Sequence, residues 1–219
     1  WVPKLTLRHR TAGRIARSTG VLALAIGLSR VLGFVRDLLM AQLFGTLAAA
    51  QAFVVAFRLP NLLRDLVAEG AVTSAFVPVL SSYRAKGETE AFWRLSQSLL
   101  TRLCLILCVL GVAGSLGAPL IVRLIAPGFA AEPEKFALTV RLTRILFPFI
   151  TLVGLWAYFM GLLNSLRHFA VPALGPAILN LSMIAACLWV VPRVSPGALA
   201  LAVSVLIGGV IQLAVQLPV

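Results

Sequence analysis

The sequence predicts an all-α, polytopic membrane helix bundle, and three observations carry that reading. Of its 219 residues, 60% are apolar and only 12% charged, with a mean hydropathy of +1.01. A soluble domain holds about 25% charged residues, and a 23.3 kDa particle has too little interior to hide this much apolar surface. The apolar residues also come in runs long enough for spans of about 20 residues, separated by Pro-, Gly- and charge-rich segments, which sets the count at about six. Finally, the excess of 19 Lys and Arg over 7 Asp and Glu follows the pattern of cytoplasmic loops and anionic headgroups. Such hydrophobicity excludes disorder. Without a polar platform of interleaved cations and aromatics, no nucleic-acid partner is expected.

Residues 1–17 read as a basic cytoplasmic tail carrying Lys4, Arg8, Arg10, Arg14 and Arg17. They superficially resemble a secretory leader, but no small-residue cleavage site follows. The transmembrane unit then covers 18–219. A first helix over 18–44 ends at Gly45. A second, over 48–83, is interrupted at Leu59-Pro60-Asn61 and at Glu69-Gly70, because proline removes a backbone donor and bends a helix. A loop at 84–88 leads to a third helix over 92–116. Residues 117–135, with Pro119, Pro127 and Pro133, read as a long connection. The fourth helix, over 136–163, is kinked at Pro148. A loop at 164–169, a fifth helix over 170–191, a turn at 192–196 and a sixth helix over 197–217 complete the unit. Trp1 at one end and an apolar run at the other read as the ends of a piece of a longer protein.

Loop charges set the orientation. With the amino terminus in the cytoplasm, Arg84, Lys86, Arg94 and Arg167 lie inside with the basic tail, and Arg123, Lys135 and Arg193 lie outside. Both termini are then cytoplasmic.

Ionisable residues inside spans cost about 2.5–3.5 kcal/mol each on insertion scales and therefore mark function. The first helix carries Ser29-Arg30 and Arg36-Asp37, with Arg30 and Asp37 two turns apart on one side, as are Ser29 and Arg36. The second adds Arg58, Arg64, Asp65 and Glu69. Arg141 and Arg144 lie on the fourth. An excess of arginine over acid implies a polar cavity for an anionic, amphipathic ligand, since the guanidinium fork suits phosphate. Arg58, Arg102 and Arg141 read equally well as side chains that snorkel to headgroups or form simple ion pairs. Gly27, Gly33, Gly154 and Gly161 are candidates for close helix contact. Cys104, Cys108 and Cys187 lie in apolar runs and read as packing residues. No nucleophile–base pair, phosphate-cradling glycine loop or metal-ligand spacing occurs, so no enzyme activity, cofactor or metal is expected.

The strings Ser29-Arg30-Val31-Leu32-Gly33-Phe34-Val35-Arg36-Asp37, Phe57-Arg58-Leu59-Pro60-Asn61-Leu62-Leu63-Arg64, Ala68-Glu69-Gly70-Ala71, Ala126-Pro127-Gly128-Phe129 and Leu142-Thr143-Arg144-Ile145-Leu146-Phe147-Pro148 occur in that order. Together they resemble the MurJ/MviN family of bacterial lipid II flippases, in the multidrug/oligosaccharidyl-lipid/polysaccharide exporter superfamily, from about residue 20 onward. The resemblance implies the amino-terminal lobe of a two-lobed transporter of the bacterial inner membrane. Such a transporter moves lipid II, an undecaprenyl-pyrophosphate-linked peptidoglycan precursor, between leaflets by alternating access. Carried over by position, Ser29, Arg30, Arg36 and Arg64 would bind the pyrophosphate, while Asp37 and Glu69 would balance charge or gate. Partners implied are lipid II, the bilayer, a second lobe and cell-wall synthesis proteins. Two positions depart from the family pattern: Gln51 stands where an aspartate is common, and Asp65 where a second basic residue is frequent. Alternatives are an exporter of another lipid-linked oligosaccharide or of a drug, and a non-transporting scaffold that binds the lipid precursor.

Overall fold

The computed structural model describes residues 4–45, 48–65, 76–166 and 168–217, giving backbone alone for 4–19, 21–22 and 63–65. Among the described residues the chain is helical, without strands. Its helices are α1 (Lys4–Phe44), α2 (Ala48–Asp65), α3 (Val77–Ala85), α4 (Thr89–Leu116), α5 (Ala118–Ile125), α6 (Pro133–Leu146), α7 (Phe149–Ser165), α8 (Ala170–Ala173), α9 (Gly175–Trp189) and α10 (Gly197–Ala214). By length and apolarity, four described stretches can cross a membrane: Thr89–Leu116, Pro133–Ser165, Ala170–Arg193 and Gly197–Ala214.

Several boundaries differ from the sequence expectation. The sequence marks 1–17 as a tail ahead of the helix, yet α1 is continuous from Lys4. No proline occurs between Pro3 and Pro60, and nine of the 14 residues from 4 to 17 are Ala, Leu, Lys or Arg, enough to carry the helix past Gly13. The α1 helix does end at Gly45, whose φ of +52° is readily adopted only without a Cβ, and whose N–H bonds Ala41 O at 2.8 Å. The α2 helix continues through the buried Pro60, while the expected break at Glu69-Gly70 lies outside the described residues. Residues 117–135 are a helical connection, made of α5 and a 3-10 turn at Pro127–Ala131. Its prolines start helices, since a first-turn residue needs no backbone donor. Proline 148 separates α6 from α7, and Leu174 separates α8 from α9.

Neighbouring helices pair as α1 with α9, α9 with α10, α2 with α6, and α4 with α7. The main core lies where α2, α6, α7, α9 and α10 meet, around Phe53, Leu142, Phe149, Met183 and Leu201. A second cluster, around Leu80, Phe92 and Tyr158, ties α3 and α4 to α7. There the Tyr158 hydroxyl donates to Ser96 O at 2.8 Å and lies 2.5 Å from Ser96 Oγ. Close helix contact depends on missing side chains. A Cβ at Gly154 would fall 2.3 Å from Leu107 Cδ1, and one at Gly114 only 1.8 Å from Phe147 Cε1. Gly27, by contrast, has open space beside it.

Candidate functional site

The α1 helix seats on α9 through a stripe of buried and half-buried positions at 25, 29, 33, 36, 40 and 44. That spacing of three and four residues is the one a helix needs to bury a single face. The stripe is unusual because it includes Ser29 and Arg36. The buried Asn180 of α9 accounts for Arg36 and meets Ser29 at its backbone carbonyl. Its Nδ2 donates to Ser29 O at 3.0 Å, and its Oδ1 accepts from Arg36 Nη1 at 2.8 Å. Gly33 stands between them, where a Cβ would sit 3.4 Å from Asn180 Nδ2. A larger residue at 33 would press on the amide that bridges the two helices.

Arg36 is further held by Asp37, whose Oδ1 accepts from Nε at 3.0 Å and from Nη2 at 2.8 Å. The arginine side chain is 23% exposed and its carboxylate partner 65%. A guanidinium has five N–H donors. Three are engaged by described residues, which leaves two for a ligand. Arg36 borders a cleft of about 400 Å³ between α1 and α2. Arg36, Asp37 and Met40 form one wall, Phe57, Arg58 and Asn61 belong to the other, and Met183 of α9 is at its base. Two arginines against one aspartate leave the described lining net positive. Aromatic and aliphatic side chains supply the remainder, so the cleft can take an anion attached to an apolar body.

The sequence-derived candidates fall out unevenly. Ser29 and Arg36 are brought together on Asn180, and Asp37 lines the same cleft. Arg30 is exposed and does not line the cleft; seven residues of helix place it about 10 Å from Asp37 along α1. The Arg64 side chain and all of Glu69 lie outside the described residues. Arg58, read from the sequence as a headgroup or ion-pair residue as readily as a cavity residue, lines the cleft. Asn61 and Asn180, being uncharged, do not stand out in the sequence as site residues. A usable signal existed for Asn180, a lone amide between Leu179 and Leu181 in an apolar span, because polar side chains in membranes bond across helices. Among the other candidates, Cys108 faces outward, Cys104 is half-buried and Cys187 is buried; all three are free thiols.

Fold and cleft together define a multi-pass α-helical membrane protein with an anion-compatible groove beside its first helix. The family model described as lipid II flippase MurJ matches residues 40–219, and the chain belongs to that family. A lipid II flippase MurJ of Burkholderia cenocepacia is 42% identical over 191 residues, 87% of this chain and 37% of the relative. A probable lipid II flippase MurJ of Rhizobium tropici is 42% identical over 193 residues, 85% of this chain and 36% of the relative. Among solved structures, a lipid II flippase MurJ in an inward closed conformation matches with a TM-score of 0.74 and 29% identity, over 88% of this chain and 40% of that one. The chain thus spans about two fifths of the length of these proteins.

Proposed function

We propose that this chain is the amino-terminal lobe of a lipid II flippase of the bacterial inner membrane, a transporter rather than an enzyme. The observation that carries the reading is Arg36, tethered to Asn180 and Asp37 in the wall of a cleft in an apolar bundle, with three of its five N–H donors engaged. A pyrophosphate offers several acceptor oxygens, and charge-assisted bonds to it are about twice as strong as neutral ones. In this reading Arg36 is the fixed contact and Arg58 a second positive charge within the same cleft. Arg30 and Arg64 are carried into this reading by the family resemblance alone, and the Ser29 backbone carbonyl holds the Asn180 amide that tethers Arg36. Asp37 and Glu69 limit the net charge so that the anion is released. Alternating access requires a second lobe to rock against this one, and that lobe is the expected partner, with lipid II as cargo. Both termini of the chain are placed in the cytoplasm, in line with the loop charges.

The test is lipid II translocation by the full-length protein in proteoliposomes. Arg36→Ala is expected to abolish translocation while leaving membrane insertion intact. Arg36→Lys should restore it only in part, because a point charge lacks the fork. Translocation at the unsubstituted rate by Arg36→Ala would overturn the assignment.

A further inference from the structure

The outward face of α4 changes character abruptly. From Glu90 to Arg102 its exposed side chains include Glu90, Arg94, Ser98, Thr101 and Arg102; from Leu105 onward they are mostly aliphatic. Arg94, Ser98 and Arg102 are spaced four residues apart, so they form one track running about 12 Å down the helix. Arg102 is the only Asp, Glu, Lys or Arg between Arg94 and Arg123. It sits on a span with a mean hydropathy of 2.2, only 17% of it buried in protein. Among the described residues it has no hydrogen bond or ion pair. A guanidinium on an apolar span is costly unless its side chain reaches the headgroup boundary or meets an anion. At the top of the track lies a cleft of about 790 Å³ lined by residues that include Glu88, Glu90, Arg94 and Ser98. Glu90 pairs with Arg94 at 2.9 Å, both well exposed, so the pair is weak and open to exchange.

We propose that this track is a seat for a zwitterionic aminophospholipid, of the phosphatidylethanolamine class, outside the transport cleft. Glu88 and Glu90 stand at the helix start, at the water side; Arg94 and Arg102 follow toward the hydrocarbon. The two guanidiniums of the track are balanced by Glu88 and Glu90, with Lys86 beyond them in the loop, so discrimination against a net-anionic lipid rests on the two carboxylates that meet the outer end of the headgroup. The order of charges matches a headgroup whose ammonium points to water and whose phosphate lies deeper. Arg102 and Ser98 take the phosphate, Arg94 closes over it, and Glu90 accepts from the primary amine. A choline headgroup, having no N–H, makes no such bond to Glu90.

Native mass spectrometry of the full-length protein in micelles holding equal amounts of dioleoyl phosphatidylethanolamine, phosphatidylglycerol and phosphatidylcholine tests this. The ethanolamine lipid is expected to be retained about fivefold over each of the others, the scale of one exposed charged contact. Arg102→Leu should remove that retained lipid with no loss of helicity or melting temperature, since the side chain is exposed. Glu90→Gln should keep the lipid and erase the preference for ethanolamine over choline. Glycerol lipid held as well as ethanolamine lipid, or lipid retention unchanged by Arg102→Leu, would overturn the proposal.

Discussion

Replacing Asn180 by alanine separates the tether of Arg36 from Arg36 itself. The substitution deletes the bond to Ser29 O at 3.0 Å and the bond from Arg36 Nη1 at 2.8 Å. Interhelical hydrogen bonds in membranes average about 0.6 kcal/mol and reach about 1.7. Ser29 O keeps its place in the α1 ladder, so its bond belongs near the lower figure; the charged one belongs near the upper. Together they give about 1–3 kcal/mol for the α1–α9 contact, or about 5- to 150-fold in its equilibrium. Reversible unfolding in mixed detergent micelles reads that loss directly. Lipid II translocation should fall as well, because Arg36 keeps its charge and loses its position. Asn180→Asp is the informative companion. It leaves Arg36 between two carboxylates but loses the donor to Ser29 O, so stability should fall less than in Asn180→Ala while translocation is lost. Unchanged stability and unchanged translocation in Asn180→Ala would refute both the bridge and its role.

Three further outcomes are expected. Gly114→Ala should cost about 1–3 kcal/mol in the same unfolding assay, because the new methyl meets the buried Phe147 ring, whereas Gly128→Ala, with open space around it, should be nearly neutral. Tyr158→Phe should cost about 1–2 kcal/mol, since it removes the hydroxyl bonded to Ser96 and leaves that buried serine one partner short. On a cysteine-free background, single cysteines should label from outside at position 125 and from the cytoplasm at position 86; the reverse pattern would overturn the proposed orientation.

What the sequence reveals, and what it conceals, follows from the range of each interaction. Local rules located the α1 end at Gly45 and the α6–α7 break at Pro148, because both depend on one residue's backbone. Proline misled where position within the helix mattered. Pro119 and Pro133 read as marks of a loop, but each occupies the first turn of a helix, where no donor is missed. Charge alone marks the basic segment 4–17 as a tail, though it holds no proline and only one glycine, Gly13, to oppose a helix. For the site, helical periodicity placed Ser29 and Arg36 on one face. It was silent on their common partner, since Asn180 lies 144 residues beyond Arg36 and no local pattern reports such a pairing.

The two tethers on Arg36 also set what kind of site this can be. An arginine side chain carries about 2 kcal/mol of rotamer entropy, and an untethered one near a membrane boundary would extend toward headgroups and water. Asn180 and Asp37 remove that freedom before any ligand arrives, which at about 1.4 kcal/mol per tenfold is worth more than one decade of affinity. Asp37 acts in the opposite sense as well. It shares the positive charge that a pyrophosphate would otherwise meet alone, and being 65% exposed it stays accessible to water. Under the proposed function these effects are complementary: Asn180 fixes where the anion binds, and Asp37 limits how tightly. Asp37→Asn should therefore raise the affinity for a pyrophosphate-linked lipid and slow its release, so that translocation falls while binding strengthens. Weaker binding in Asp37→Asn would show instead that the carboxylate serves chiefly to position Arg36.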